Sequence, residues 1–210
     1  MKHLLLFSLL VISLVCQSQN ADKKLTAQIQ RVITGFNGNI GIFIKSLRTG
    51  KTVTISADSV FSTASIVKVP ILVGIMDRID KGVLNYDSSL TYKDSLFYAG
   101  SDILGSFKNE ERISLKKVIM LMLTISDNTA SLWLQSLAGT GTRINQIMDS
   151  LGLIYTKVNS RTPGREANRT QYGWGQTTPR EMATLFEQIY RKEVFSSDIS
   201  DRMLRCLGRN

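Results

Sequence analysis

Beyond its first eighteen residues the chain contains a single cysteine, Cys206, and no histidine, because His3 and Cys16 both lie in that opening stretch. No intramolecular disulfide can close such a chain, and no His/Cys site of the zinc kind can staple it. An apolar core must therefore hold the fold, and 210 residues with 43% apolar side chains and three prolines are enough to bury one. The same absence removes Ser-His-Asp and Cys-His pairs from the available chemistry. Hydrolysis in this chain has to run on Ser, Lys, Tyr, Asp or Glu.

The opening stretch reads as an export signal. Lys2 and His3 precede an apolar run from Leu4 to Val15 that is too short to span a bilayer, and polar residues Gln17 to Asn20 follow at once. A cut after Ser18 leaves Cys16 and Ser18 at the two positions that a signal peptidase inspects. A lipid anchor on Cys16 fits less well, because the bulky Leu14 and Val15 precede it. The expected product is a soluble periplasmic or secreted domain over residues 19–210, monomeric and without stable membrane insertion. Its net charge of +9 is scattered, with no basic run of five or six, so no nucleic-acid partner is expected. An anionic envelope is the fitting neighbour.

Periodicity predicts a helix over 22–36, where Leu25, Ile29, Val32 and Ile33 share a face. Alternation at Ile40, Ile42 and Ile44, a turn at Arg48-Thr49-Gly50, and then Val53 and Ile55 predict a β-hairpin. From Ile66 to about Lys81 the pattern is again helical. Residues 88–106 read as loop. The run Val118 to Leu123, inside a helix starting near Ser114, is apolar all round and is expected to be buried. Helices follow over 129–137 and 142–151, with Gly139 and Gly141 as connectors. Residues 159–176 read as a polar, turn-rich loop, and Thr178 caps a helix that has Pro179 at its first position and runs to Tyr190. The fold class is mixed α/β, an antiparallel sheet with helices.

Two Ser-x-x-Lys matches occur, at Ser65–Lys68 and Ser114–Lys117, and about one is expected by chance in a chain of this composition. Ser114 precedes adjacent lysines on a solvated helix start and reads as a helix cap. Ser65 sits where loop gives way to an apolar helix, with Lys68 three residues on and on the same face. A neutral Lys68 amine could take the Ser65 proton, which requires burial or nearby positive charge to lower its pKa from about 10.4. The Ser65 backbone N–H at the helix start could help hold an oxyanion. A second element, Ser126-Asp127-Asn128, follows the buried helix; as a specified tripeptide it is far rarer by chance than Ser-x-x-Lys. Its simplest structural role is a cap for the next helix, through Ser126 or Asp127.

The segments FSTASIVKVPIL and MLTISDNTASLWL resemble the nucleophile and second motifs of class A β-lactamases and related penicillin-binding proteins. The hairpin segment GIFIKSLRTGKTVTISAD and the helix TTPREMATLFEQI are similar to the same family, so the likeness covers about residues 22–190. The resemblance implies a β-lactamase/transpeptidase-like fold, a sheet packed on helices with an all-helical lobe. It also implies Ser65 as acylated nucleophile, Lys68 as its general base, Ser126 as proton relay to the departing β-lactam nitrogen, and Asn128 as partner of the substrate's side-chain amide. Asp127 is structural in this reading. No metal or organic cofactor is implied, and the partner is a small-molecule β-lactam or a peptidoglycan peptide.

Two departures stand out. If Arg161 takes the place of the family's loop arginine, Pro163 stands where the family has its water-activating Glu. Glu166 lies nearby, only two residues before Asn168, and weighs more as a surface charge than as a substitute base. After Ser126 there is no Lys-Thr-Gly or Lys-Ser-Gly, which reads as a chain lacking its C-terminal strands. The leading expectation is a serine β-lactamase-like hydrolase. The alternatives are a penicillin-binding D,D-peptidase or transpeptidase and a degenerate envelope-binding module.

Overall fold

The computed structural model describes residues 20–208 apart from Ser101, so the expected export signal, with His3 and Cys16, lies outside the described residues. Those residues divide into two compact units, 20–59 with 178–183, and 60–177 with 184–208. No helix among them is long and apolar enough to cross a membrane.

In the first unit, helix α1 spans Lys23–Ile33 and is capped by Asp22, whose carboxylate accepts from the Leu25 N–H at 3.0 Å. Strands β1 (Ile42–Lys45) and β2 (Thr52–Ile55) pair antiparallel, with Ile42 opposite Ile55 and Lys45 opposite Thr52. The expected turn joins them. Gly50 sits at φ 72° and donates its N–H to the Ser46 carbonyl, a conformation that glycine adopts without a Cβ penalty. The Asp22 N–H donates to the Thr52 carbonyl and ties the start of α1 to β2. Helix α7 (Pro179–Tyr190) begins in this unit, and Thr178 caps it as expected by accepting from the Glu181 N–H at 3.1 Å. Arg180 grips Asp58 with two hydrogen bonds, at 2.7 and 2.9 Å, and lies 4.7 Å from the centre of the Phe43 ring.

The second unit is built around α2 (Lys68–Asp80), in which every residue from Lys68 to Asp77 is buried. It packs against α4 (Asn128–Leu137), α5 (Thr140–Ser150) and α8 (Ser197–Leu207). Full burial was expected instead of the helix holding Val118–Leu123. That helix, α3 (Leu115–Thr124), buries only Leu115, Val118, Ile119 and Met122, because it packs on one side, against α4 and α8. Helices α4 and α5 form within two residues of their expected starts. Gly141 is not a connector: it lies inside α5, where an added Cβ would come within 1.8 Å of Thr162 Oγ1. Gly139, at φ 93°, does make the turn.

Several expected loops carry structure. Strand β4 (Ser89–Thr91) falls within the expected loop 88–106 and pairs antiparallel with β5 (Arg112–Ser114), which lies beyond it. The expected loop 159–176 holds α6 (Glu166–Tyr172) and most of β7 (Gly175–Thr177), and β7 is the middle strand between β3 (Phe61–Ser62) and β6 (Lys157–Val158). These pieces are two to seven residues long, too short for periodicity to register. Ser114 stands at the N-cap position of α3, yet its hydroxyl makes no capping bond and is buried without a partner among the described residues, contrary to the cap expected there.

Close packing of the α2 axis depends on Gly74. A Cβ there would lie 2.7 Å from Ile144 Cγ1 and 3.0 Å from Ala138 Cβ. Gly74→Ala should therefore lower the unfolding free energy by about 1–3 kcal/mol, even though alanine is the better helix former. A urea titration monitored by circular dichroism would show this as a lower midpoint, and an unchanged or higher midpoint would contradict the packing argument.

Candidate active site

A 3₁₀ turn, Ala64–Val67, leads directly into α2, so Ser65 lies on the turn and Lys68 is the first α-helical residue. Residues three apart eclipse in a 3₁₀ turn, which brings the two side chains together more directly than the expected helix face would. Ala64 is held at φ 43°, a left-handed conformation that costs a non-glycine residue about 1 kcal/mol. Ser126 is held the same way, at φ 62°, just past the end of α3. Both residues in this strained region adjoin or carry the candidate hydroxyls, the pattern expected where surrounding structure fixes a functional geometry.

The four expected site residues converge. Lys68 Nζ lies 3.3 Å from Ser65 Oγ, 2.8 Å from Ser126 Oγ and 3.4 Å from Asn128 Oδ1. The two serine hydroxyls are 3.0 Å apart. Lys68 is only 4% exposed, and among the described residues it forms no ion pair with a carboxylate. Burial pushes its pKa below the ordinary lysine value, while the charge of Asp127 partly opposes the shift. The amine is thus surrounded by hydroxyl and amide oxygens and biased toward its neutral form.

Asp127 occupies the structural place expected for it. One oxygen accepts from the Ala130 N–H at 2.7 Å and caps α4. The other accepts from the N–H groups of Ile103 and Leu104, at 2.7 and 3.1 Å. The turn carrying Ser126 and Asn128 is therefore anchored from below by a fully buried carboxylate.

Ser65, Lys68 and Asn128 line a cleft of 400 Å³, together with Tyr98, Gly173 and Trp174. The Tyr98 and Trp174 rings meet edge to face, 5.1 Å between centres, and the Arg161 guanidinium lies 5.9 Å from the Tyr98 centre. These two aromatics were missed in the sequence. The available signal was a tryptophan bracketed by Gly173 and Gly175 in a polar segment, a large apolar side chain with no helical or strand pattern to bury it. Glu166 lines a different depression of 280 Å³, with Asn159, Arg161, Thr162, Pro163 and Arg169, and its carboxylate accepts from the Gly164 N–H. It is exposed at the start of α6, as the surface-charge reading expected. Asn168 donates to the Gln176 side chain at 3.1 Å.

A helix-rich α/β scaffold with a Ser-x-x-Lys turn facing a Ser-Asp-Asn turn is the arrangement shared by β-lactamases and penicillin-binding proteins. A model of the beta-lactamase enzyme family matches residues 24–210, and the chain belongs to that family. Beta-lactamase VEB-1 of Pseudomonas aeruginosa is 25% identical over 196 residues, covering 91% of this chain and 65% of that protein. The chain thus spans just under two thirds of that relative's length. The solved structure of PBP-A superposes with a TM-score of 0.79 at 29% identity, over 90% of this chain and 70% of that one. A PBP-A mutant solved as an acyl-enzyme complex with penicillin-G gives the same TM-score at 30% identity.

The depressed Lys68 pKa has a definite sign in folding. The unfolded chain takes up the lysine proton below about 10.4, whereas the folded chain does so only below its lower value. Between those two pH values the unfolded state binds more protons, so stability rises with pH across that window. Comparing wild type with Lys68→Met by chemical denaturation should show this rise in wild type and its loss in the variant. Parallel profiles would mean that Lys68 is not desolvated in the folded protein.

Proposed function

We propose that this protein is a serine β-lactamase-like hydrolase that opens β-lactam rings by acylating Ser65. The observation that carries the reading is the buried Lys68 amine within hydrogen-bonding reach of both Ser65 and Ser126. With Lys68 neutral, the Ser65 hydroxyl can turn to donate to Nζ, and its oxygen attacks the lactam carbonyl carbon as the proton passes to the amine. Collapse of the tetrahedral adduct breaks the C–N bond. Ser126, 2.8 Å from Nζ, gives its proton to the departing nitrogen and is reprotonated by the lysine, which returns to the neutral state. Asn128 presents its amide at the cleft wall, where it can pair with the substrate's side-chain amide. The Ser65 backbone N–H is the candidate donor to the oxyanion.

Release of the acyl group needs an activated water. The carboxylate nearest in sequence to the family's loop glutamate, Glu166, lines a separate depression from Ser65. That placement favours a second reading, a penicillin-binding protein whose acyl-enzyme persists and whose natural substrate is a cell-wall peptide. The two readings share acylation and differ in the lifetime of the adduct.

Intact-mass measurement after mixing with benzylpenicillin tests both. An adduct of one penicillin should form on wild type and be absent from Ser65→Ala, and Lys68→Ala should slow its formation by about 10²–10⁴-fold. Adduct that disappears as penicilloic acid accumulates supports a lactamase, whereas adduct stable for hours supports the penicillin-binding reading. Glu166→Gln should leave the adduct lifetime unchanged. A well-folded wild type that never acquires the adduct would overturn both.

A further inference from the structure

The loop that brings Tyr98 to the cleft is held against the start of α4 by polar groups. The Tyr98 N–H donates to Thr129 Oγ1 at 2.9 Å, and Asp127 collects the Ile103 and Leu104 N–H groups. A second carboxyl group joins them. Both oxygens of Asp102 are buried, and among the described residues neither finds a well-formed hydrogen bond and no Lys or Arg pairs with it. Its neighbours are the Asp127 carboxylate and the Thr129 hydroxyl from α4, and the Gly105 N–H from the loop itself. The buried Tyr92 phenol senses both aspartates, and the Lys68 amine of α2 feels the Asp127 charge. Space for this carboxyl exists because residue 105 is glycine: a Cβ there would lie 2.2 Å from Asp102 Oδ2 and 2.6 Å from Phe97 Cε2.

Two carboxylates side by side in a buried site repel and lack solvation, and a proton retained on one of them removes the repulsion and leaves a single buried charge. A protonated carboxyl also gains an O–H donor that the neighbouring carboxylate accepts. We propose that the Asp102 carboxyl donates a hydrogen bond to the Asp127 carboxylate and so locks the Tyr98 loop onto the start of α4, which makes Asp102 a positioning residue for the cleft. Burial, and after it the Asp127 charge, hold the Asp102 carboxyl above the usual carboxylate range against opposing contacts from Gly105 and Thr129. Because Gly100 packs where a Cβ would come within 2.7 Å of Asn128 Nδ2, movement of this loop also moves the cleft wall at Asn128. The catalytic consequence rests on the Ser65 reading; the pair itself does not.

The linkage runs opposite to that of Lys68. The folded chain retains the Asp102 proton above the unfolded value of about 3.9, so stability is highest at acid pH and declines as pH rises to the raised Asp102 value. Thermal unfolding of the whole chain from pH 4 to 8, with wild type, Asp102→Asn, Asp102→Ala and Gly105→Ala, reads this out. Asp102→Asn keeps a donor toward Asp127 and carries no titrating proton. Relative to wild type its unfolding temperature should rise with pH and equal or exceed wild type at pH 8. Asp102→Ala and Gly105→Ala should speed hydrogen exchange at the Tyr98, Ile103 and Leu104 amides about tenfold, with Asp102→Asn close to wild type, the size expected for losing one charge-assisted hydrogen bond.

In the acylation assay the same two variants should raise the penicillin concentration for half-maximal rate more than they lower the maximal rate. An Asp102→Asn profile that runs parallel to and below wild type at every pH would overturn the proposal, as would unchanged exchange in Asp102→Ala. If the pH and exchange results hold while wild type never acylates, the pair stands and the Ser65 reading falls.

Discussion

The second unit is organised by the burial of one primary amine. Lys68 opens a helix whose next nine residues are also buried, so its side chain cannot reach solvent along its own helix. A cation in such a place would be costly without an ion-pair partner. The protein supplies three uncharged oxygens instead, from Ser65, Ser126 and Asn128, and a single more distant charge, Asp127. That arrangement accepts three N–H bonds from the protonated amine and, when the amine is neutral, lets a serine hydroxyl donate to Nζ, as a proton acceptor that must later return its proton requires. Removing the Asp127 charge would tip the balance further toward the neutral amine.

The same demand explains features that look unrelated. Asp127 can sit fully buried because three backbone N–H groups converge on it. Those donors come from the Tyr98 loop and from α4, so the residue that tempers the Lys68 pKa also fastens the cleft wall. Ala64 and Ser126 accept left-handed backbone conformations to point their neighbours, or themselves, at the amine. Gly74 lets α2 and α5 approach closely enough to exclude water from the helix that carries it.

Much of this was legible in the sequence because it depends on short-range spacing. Ser65 and Lys68 are three residues apart, and the Ser126-Asp127-Asn128 tripeptide is rare by chance; their convergence followed from the family likeness. Helices α1 to α5 and α7, the first hairpin and the Thr178 cap were also readable, since each carries periodicity or a capping residue; α8 was not read. Other features depend on contacts between residues far apart in the chain. Helix α6 buries none of its residues fully and shows no apolar stripe. Strands β4 and β5 are three residues each and exist only because they find one another. Which helix would be central could not be told from apolar runs, since α2 and α3 both have them and differ in how many neighbours surround them.

Trp174 has a consequence beyond the shape of the cleft. The chain has two tryptophans, and Trp133 is buried against Tyr92 in the helical packing, 7% exposed, whereas Trp174 stands at the cleft with its ring against Tyr98. One indole is therefore a constant background and the other is exposed to whatever enters beside Ser65. The protein carries its own optical reporter, so that occupancy of the cleft can be followed by intrinsic emission in real time, without a label and whether or not a covalent bond forms.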